Sequence, residues 1–216
     1  EAEAPQEPFV LVVDQSAGDR SIALGLADAS CFQQMLQAAL DEHPDCTVVL
    51  KVHPDVISGR ARGHFNASDL AQPRVRLSAD GGHPAQLLER ARAVYVVTSQ
   101  MGFEALLWGR PVHCFGMPFY SGWGLTHDRC EASLRRRQGA SLEALVHAAL
   151  VGACRCIDPH RHQPCSIEIL MGAIGLQRRL QAQQPRRCVA FGFTPWKQRN
   201  LRRFLAGSQL RFRAPW

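Results

Sequence analysis

The sequence contains no apolar run close to the ~20 residues that a helix needs to cross a bilayer, so we expect a soluble or peripheral protein. We also expect no signal peptide, because the segment from Glu1 to Pro5 is acidic and has no apolar core. We interpret residues 1–8 as a disordered tail or linker. Without a secretory signal, the eight cysteines are expected to be reduced thiols rather than a disulfide framework.

Lysine is scarce, and nearly all of the basic residues are arginine. Their distribution is uneven, since residues 1–128 contain nine Lys and Arg against 15 Asp and Glu, whereas residues 129–216 contain 16 against four. A basic segment of this kind can bind nucleic acid, an anionic membrane or a phosphorylated glycan or lipid, although a solvated helix face is the commoner explanation. Because no nucleic-acid-binding motif is present, we expect no nucleic-acid partner.

Short apolar runs alternate with helical patterns along the chain. Continuous runs of this length are typical of parallel strands buried on both faces of a sheet, and they occupy residues 9–13, 47–52 and 94–97. With 216 residues and a hydrophobic content of 46%, the chain can bury the core of one α/β domain. The sequence therefore predicts a Rossmann-like open parallel sheet, whose ligands bind beyond the carboxyl ends of the strands.

Polar residues follow these strands at the edge where ligands bind. The loop from Asp14 to Ser21 follows the first strand, and two interpretations of Asp19 remain open: a cap for the next helix or a catalytic carboxylate. His53 leaves the second strand and is held extended by Pro54, so its ring can donate to a phosphate or a sugar carboxylate. The dipeptide His43-Pro44 precedes the same strand and is expected at the opposite, structural edge.

The strand at residues 94–97 and the helix that follows it predict a nucleotide ligand. The helix that starts at Ser99-Gln100 directs unpaired N–H groups at the same edge, where they can hold a phosphate. Glu104 lies in the second turn of that helix, beside the place expected for a sugar hydroxyl. The loop of glycine, proline and aromatic residues at 116–126 has two interpretations of similar weight, a functional loop or an aromatic clamp to the core.

Five cysteine and histidine residues cluster in the basic segment: Cys154, Cys156, His160, His162 and Cys165. Side chains of this kind bind zinc, but their spacing matches no usual zinc finger. We therefore favour buried or incidental thiols over a structural zinc site, and we predict no metal ligands.

Four motifs together carry a resemblance to a known family: VVDQSAGDRSIALG, LKVHPDVISGRARG, VYVVTSQMGFEALLWGRPVHCFGMPFYSGWGLTHD and VAFGFTPWKQRNLRRFL. In this order, across roughly residues 9–205, they resemble the bacterial capsule-polysaccharide β-Kdo transferases of the KpsC type. The resemblance implies the donor-binding, C-terminal lobe of a two-lobed GT-B glycosyltransferase. It also implies an enzyme that works in the cytoplasm at the inner membrane, using CMP-Kdo to build a poly-Kdo linker on a phosphatidylglycerol lipid.

The same resemblance assigns roles to individual residues. Asp19 matches the nucleophile of a reaction that retains anomeric configuration through a covalent glycosyl-enzyme. His53 matches a His-Pro motif at the CMP phosphate and the Kdo carboxylate, while Ser99 is expected at the phosphate and Glu104 at the ribose. The remaining substrate-binding residues that we predict are Gln15, Lys51 and Gly102. No cofactor or metal is expected.

The resemblance further implies that the chain is a fragment of a longer enzyme. Residues 9–185 would be the nucleotide-sugar-binding lobe with its C-terminal helices, and residues 186–216 the start of a second glycosyltransferase module. We expect this fragment alone to bind CMP or CMP-Kdo weakly and to transfer little. The expected partners are CMP-Kdo, a lipid-linked Kdo acceptor, capsule assembly proteins and the anionic inner membrane.

Two other classes of protein stay open as alternatives. The first is a non-catalytic nucleotide-binding or membrane-docking module of a capsule assembly or export complex, which would depend on Arg135-Arg136-Arg137 rather than on Asp19. The second is a nucleotide-sugar epimerase of similar two-lobed fold, which would use UDP rather than CMP. The four motifs weigh against the epimerase.

Overall fold

The computed structural model describes residues 4–78, 84–131 and 138–214. The chain divides into two compact units, Glu1–Leu145 and Val146–Trp216. The boundary at residue 185 between a donor-binding lobe and a second module stays a prediction. The segment Arg135-Arg136-Arg137, on which the docking alternative depends, lies outside the described residues.

The first unit is built on one six-stranded sheet in which all paired neighbours are parallel. Its strands in chain order are β1 (Phe9–Val13), β2 (Thr47–Lys51), β3 (Val75–Ser78), β4 (Val94–Val96), β5 (Val112–Cys114) and β6 (His127–Asp128). Their order across the sheet is β3-β2-β1-β4-β5-β6, the doubly wound order that reverses between β1 and β4. The predicted Rossmann-like parallel sheet is therefore confirmed.

Helices connect these strands, and the last of them follows β6 and ends in the second unit. They are α1 (Arg20–Leu24), α2 (Ser30–Glu42), α3 (Pro54–Ile57), α4 (Ala67–Leu70), α5 (Ala85–Arg90), α6 (Met101–Leu107) and α7 (Leu142–Val146). Every residue of β1 and β4 is buried, which explains why both strands are continuous apolar runs. The core on one face packs Val10 and Val48 of the sheet against Phe32, Met35 and Leu36 of α2.

Residues 4–8 are ordered against the first unit, whereas the sequence predicts a disordered tail there. Ala4 is buried, and its carbonyl oxygen accepts a hydrogen bond from Arg90 Nη1 at 3.3 Å. Glu7 accepts a second one from the hydroxyl of Thr47 at 3.0 Å. These contacts outweigh the acidic, polar character that makes the segment look unstructured.

The second unit contains a π-helical turn (His147–Gly152), an antiparallel pair β7 (Cys156–Ile157) and β8 (Pro164–Cys165), α8 (Ile167–Gln183), β9 (Arg187–Phe191), α9 (Pro195–Phe204) and β10 (Gln209–Arg213). The strands β9 and β10 are parallel and are joined through α9. Within the described part of the chain, no helix has the length and apolar character needed to cross a membrane.

Candidate active site

A cleft of about 430 Å³ opens where β1, β2 and β4 end. The loops after these three strands and one residue after β5 supply its lining: Asp14, Gln15, Ser16, Asp19, Ser21, His53, Thr98, Ser99, Gln100 and Phe119. The cleft thus lies beside the β1–β4 reversal, where a doubly wound sheet leaves room for a ligand. Four predicted site residues line it: Gln15, Asp19, His53 and Ser99.

The side chain of Gln15 ties the loop after β1 to the loop after β4. Its Oε1 atom accepts a hydrogen bond from the backbone N–H of Thr98 at 3.0 Å. Its Nε2 atom lies within reach of three oxygens, Thr98 Oγ1 (3.0 Å), Asp19 Oδ2 (3.1 Å) and Ser21 Oγ (3.2 Å). Because an amide carries only two N–H groups, it bonds two of the three at a time. This buried amide therefore sets the position of Asp19 relative to β4.

Asp19 is both a helix cap and a residue of the cleft. Its Oδ1 atom accepts the backbone N–H of Ser21 at 2.8 Å at the start of α1, and its Oδ2 atom faces Gln15. Partial desolvation raises the pKa of this carboxyl, but the hydrogen bonds from Ser21 and Gln15 and the nearby charge of His53 outweigh it and lower the pKa. The carboxylate is therefore ionised at neutral pH.

His53 is part of the cleft lining and has one ring nitrogen already engaged by the chain. Its backbone is extended (φ −63°, ψ 140°), the conformation that a following proline favours. Its Nδ1 atom accepts the backbone N–H of Asp55 at 3.2 Å, so the neutral ring carries its proton on Nε2. The side chain is 48% exposed. This Nε2–H group is the donor that a phosphate or carboxylate in the cleft can meet.

Ser99 and Gln100 lie at the entry of α6, next to the cleft. The Ser99 hydroxyl accepts the backbone N–H of Met101 at 3.3 Å, and its carbonyl oxygen accepts the hydroxyl of Tyr120. Tyr120 is fully buried, so this contact fixes the backbone of Ser99 from behind.

Three predicted binding residues are not among those that line the cleft. Lys51 is a buried residue of β2, paired with Val13 and Ser78 in the sheet. At Gly102 an added Cβ atom would lie 2.3 Å from Tyr120 Oη, so the glycine is explained by close packing of α6 on that ring. Glu104 lies in the first turn of the same helix, which begins at Met101, rather than in the second turn expected from sequence.

Asp14, which lines the cleft, forms a buried pair with His64 that was not predicted from sequence. Asp14 is 4% exposed, and its Oδ1 atom accepts the backbone N–H groups of Gln15 (2.9 Å) and His64 (3.2 Å). The ring of His64 stacks on Phe32 with centroids 3.7 Å apart, and its Nδ1 atom lies 3.2 Å from Asp14 Oδ1 and 2.9 Å from the Gln15 carbonyl oxygen. Burial raises the pKa of the Asp14 carboxyl, although the hydrogen bonds with Gln15 and His64 act to lower it. Asp14 and His64 thus hold the backbone N–H and carbonyl oxygen of Gln15 in place.

The sequence holds a signal for only one member of this pair. Asp14 directly follows a buried strand, which is where site residues of such sheets lie. His64 sits between β2 and β3 in a polar stretch without periodicity, so nothing in its neighbourhood predicts a partner fifty residues away. The same stretch includes Gly63, where an added Cβ atom would lie 2.3 Å from Asp14 Oδ2.

Within the residues that the structure describes, no group of three or more His, Cys, Asp or Glu side chains is arranged to hold a metal ion. This holds for the cleft and also for the cluster between Cys154 and Cys165.

Fold and cleft together define a class of structure, an open Rossmann-like α/β lobe with a cleft at the carboxyl ends of its strands. The chain belongs to the capsule polysaccharide biosynthesis protein family, whose model matches residues 1–155. The family resemblance read from the four motifs is therefore confirmed.

Curated relatives are longer than this chain. The capsule polysaccharide modification protein LipA of Neisseria meningitidis serogroup B is 37% identical over 202 residues, which is 90% of this chain and 28% of that protein. The lipopolysaccharide-processing protein LpsZ of Rhizobium meliloti is 39% identical over 142 residues, 66% of this chain and 32% of that protein. The chain thus spans about a third or less of each.

Two solved structures share the fold. The β-Kdo 2,4 transferase of KpsC from Thermosulfurimonas dismutans is 39% identical, with a TM-score of 0.73, and the match covers 80% of this chain and 53% of that one. The β-Kdo 2,7 transferase of the same KpsC is 26% identical, with a TM-score of 0.65, covering 82% and 56%. These matches confirm the predicted GT-B lobe and its similarity to Kdo transferases.

Proposed function

We propose that this chain forms the donor-binding wall of a β-Kdo glycosyltransferase of capsule biosynthesis, with CMP-Kdo as donor and a lipid-linked Kdo as acceptor. The observation that carries the proposal is that Asp19, His53 and Ser99, from three separate loops, line one cleft. The similarity to a protein named as a β-Kdo transferase supports the choice of sugar.

The chemistry assigned to Asp19 is a double displacement. Its carboxylate attacks the anomeric carbon of Kdo while the bond to the CMP oxygen breaks and CMP leaves with the electron pair. A hydroxyl of the acceptor, losing its proton to a base, then attacks the same carbon and expels the carboxylate. Two inversions retain the configuration. The lowered pKa of Asp19 suits both steps, since the carboxylate must be ionised to attack and stable enough to leave.

His53 and Ser99 are assigned to the departing phosphate. The Nε2–H of His53 donates to the phosphate or to the carboxylate of Kdo, and the hydroxyl of Ser99 donates to a second oxygen. Such fixed donors act where negative charge develops as CMP leaves. Lys51, Gly102 and Glu104 have no part in this proposal because they do not line the cleft.

A lipid-linked acceptor would place the reaction beside a membrane. We propose that this is the cytoplasmic face of the inner membrane. The basic composition of residues 129–216 suits contact with anionic lipids there. We also propose that β9, α9 and β10 begin a second glycosyltransferase module. Its support is the parallel β9–β10 pair joined through a helix, with Val189 and Phe191 of β9 half exposed where another layer can pack.

One observation favours the non-catalytic alternative. Both carboxylate oxygens of Asp19 already accept hydrogen bonds from the chain itself, from Ser21 and Gln15, which is what a purely structural cap requires. In that case the cleft binds a nucleotide without reacting with it.

Calorimetric titration with CMP, with UDP as the matched control, tests donor binding. Incubation with CMP-Kdo, followed by measurement of released CMP and of the intact protein mass, tests the covalent step. We expect preferential CMP binding and a Kdo adduct on the peptide that contains Asp19. CMP binding with neither CMP release from CMP-Kdo nor a Kdo adduct would establish the non-catalytic alternative. Absence of CMP binding would overturn the proposal as a whole.

A further inference from the structure

Two cysteines face each other across the short hairpin of the second unit. The antiparallel strands β7 and β8 pair Cys156 with Cys165 and Ile157 with Pro164. Directly opposed residues of an antiparallel pair project their side chains on the same face of the ladder. Neither cysteine is in a disulfide in this structure.

The register defines the distance between them. Pro164 has no N–H, so its pair with Ile157 belongs to the non-hydrogen-bonded type. The two types alternate along an antiparallel ladder, which makes Cys156 and Cys165 a hydrogen-bonded pair with Cα atoms about 5.5 Å apart. The hydrogen bond from Asp158 N–H to Gln163 O at 2.9 Å fits the same alternation on the other side of Pro164. Disulfides span Cα separations of about 4.4–6.8 Å.

Small reagents can reach both thiols. Cys156 and Cys165 are half-buried and line a pocket of about 450 Å³, which Cys154 lines as well. Desolvation and the neighbouring Cys156 raise the pKa of the Cys165 thiol, which leaves less of it as the reactive thiolate.

We propose that Cys156 and Cys165 form a reversible disulfide with glutathione disulfide or a similar low-molecular-weight disulfide as oxidant. The thiolate of Cys156 attacks one sulfur of the oxidant, releasing one thiolate and leaving a mixed disulfide. The thiolate of Cys165 then attacks the Cys156 sulfur and releases the second thiolate. Two protein thiols lose two electrons and two protons, and the oxidant is reduced to two thiols.

The backbone register makes this bond easy to break again. Opposed Cβ atoms in antiparallel pairs lie about 4.5–5.5 Å apart, with hydrogen-bonded pairs at the wider end, whereas a relaxed disulfide brings them to about 3.5–4.5 Å. Closing the bond therefore draws the two strands together against their ladder. Disulfides held under such strain are the readily reduced ones, so the pair suits reversible oxidation rather than permanent cross-linking.

The tryptic map of this segment allows a direct test on the whole chain. Cleavage after Arg155, Arg161 and Arg178 places Cys154, Cys156 and Cys165 in three different peptides. After exposure of the native protein to glutathione disulfide and alkylation of the remaining thiols, we expect peptide 156–161 linked to peptide 162–178 as the main product. Dithiothreitol should restore both free peptides.

Variants and unfolding supply the controls. Cys154→Ser should leave the linkage intact, whereas Cys156→Ser and Cys165→Ser should each abolish it. In urea the preference for this pair should disappear, because the register and not the sequence spacing produces it. A main linkage through Cys154, equal yields in native and unfolded protein, or a bound metal ion that protects the thiols would each overturn the proposal. The result does not depend on the proposed glycosyltransferase activity.

Discussion

The two His-Pro dipeptides that flank β2 are identical in sequence and lie in opposite environments. His43 precedes the strand, and its ring packs edge-on against the buried ring of Tyr95, with centroids 5.9 Å apart. Desolvation lowers the pKa of His43. His53 follows the strand, is half exposed and lines the cleft. The difference arises because a parallel sheet leaves its ligand crevice only at the carboxyl ends of its strands.

His43 belongs to a polar cluster, which is completed by Glu42, Tyr95, His113 and Arg129. Glu42 accepts hydrogen bonds from the hydroxyl of Tyr95 at 2.9 Å and from Arg129 Nη2 at 2.6 Å. His113 stacks on Tyr95 at 4.3 Å, and burial lowers its pKa to about 4. Glu42 and Arg129 are partly exposed, but the groups of this polar cluster bond or stack on one another and none of them lines the cleft. Variants should therefore separate the two regions, the cleft affecting function and the polar cluster affecting stability.

The largest expected effect is on the chemistry of the cleft. Asp19→Asn keeps an oxygen that can cap α1 but removes the charge, so release of CMP from CMP-Kdo should fall roughly 10³-fold or more. Stability should change by less than about 1 kcal/mol. The matched control is Asp28→Asn, because Asp28 is an exposed carboxylate that accepts the backbone N–H of Ser30 at 2.7 Å outside the cleft. An Asp19→Asn protein with unchanged release would remove Asp19 from the mechanism.

Acid should destabilise the protein through His113. An unfolded histidine titrates near pH 6.5 and the folded one near 4, so in this window the unfolded state binds more protons and the free energy of unfolding falls as the pH falls. Between about pH 7.5 and about pH 5, His113 should lower the free energy of unfolding by about 2 kcal/mol.

The comparison variant for this effect is His113→Phe, which keeps a ring on Tyr95 but cannot titrate. Urea unfolding at the two pH values should show a smaller loss for the variant than for the wild type. Identical losses would show that His113 does not couple folding to pH.

Gly102→Ala tests a residue that the family resemblance assigned to binding and the structure assigns to packing. The new methyl group would meet the buried ring of Tyr120, so we expect a loss of about 1–3 kcal/mol in stability. Gly172→Ala in α8 is the matched control, since an added Cβ atom there has no neighbour within 4 Å and should stabilise the helix by up to about 1 kcal/mol. Equal stability of Gly102→Ala and wild type would contradict the packing explanation.

The smallest effect separates the two His-Pro dipeptides directly. His53→Ala removes a donor from the cleft and should weaken CMP binding about tenfold, with little change in stability. His43→Ala should leave CMP affinity unchanged and lower the unfolding midpoint, because it removes packing on Tyr95. Calorimetry and thermal unfolding of both variants provide the measurement. A loss of affinity in His43→Ala of the same size would end the distinction between the two ends of β2.

The strands and the edge that carries the site could be predicted from sequence because both depend on local composition. Apolar runs such as Phe9–Val13 become buried parallel strands, and the polar residue after such a run emerges at the ligand edge. Lys51 and Gly102 show the limit of this reasoning. Their positions in the motifs suggested ligand contacts, but the burial of β2 and the ring of Tyr120 decide their surroundings.

Local composition was thus enough to predict the parallel sheet, the family, and the places of Asp19 and His53 in the segments that follow β1 and β2. The meeting of polar groups depends on the folded chain, because contacts such as Gln15 to Thr98 or Asp14 to His64 join loops far apart in sequence. The folded chain also makes His113 titrate near pH 4, since burial and neighbouring charges shift a pKa and neither can be read from adjacent residues.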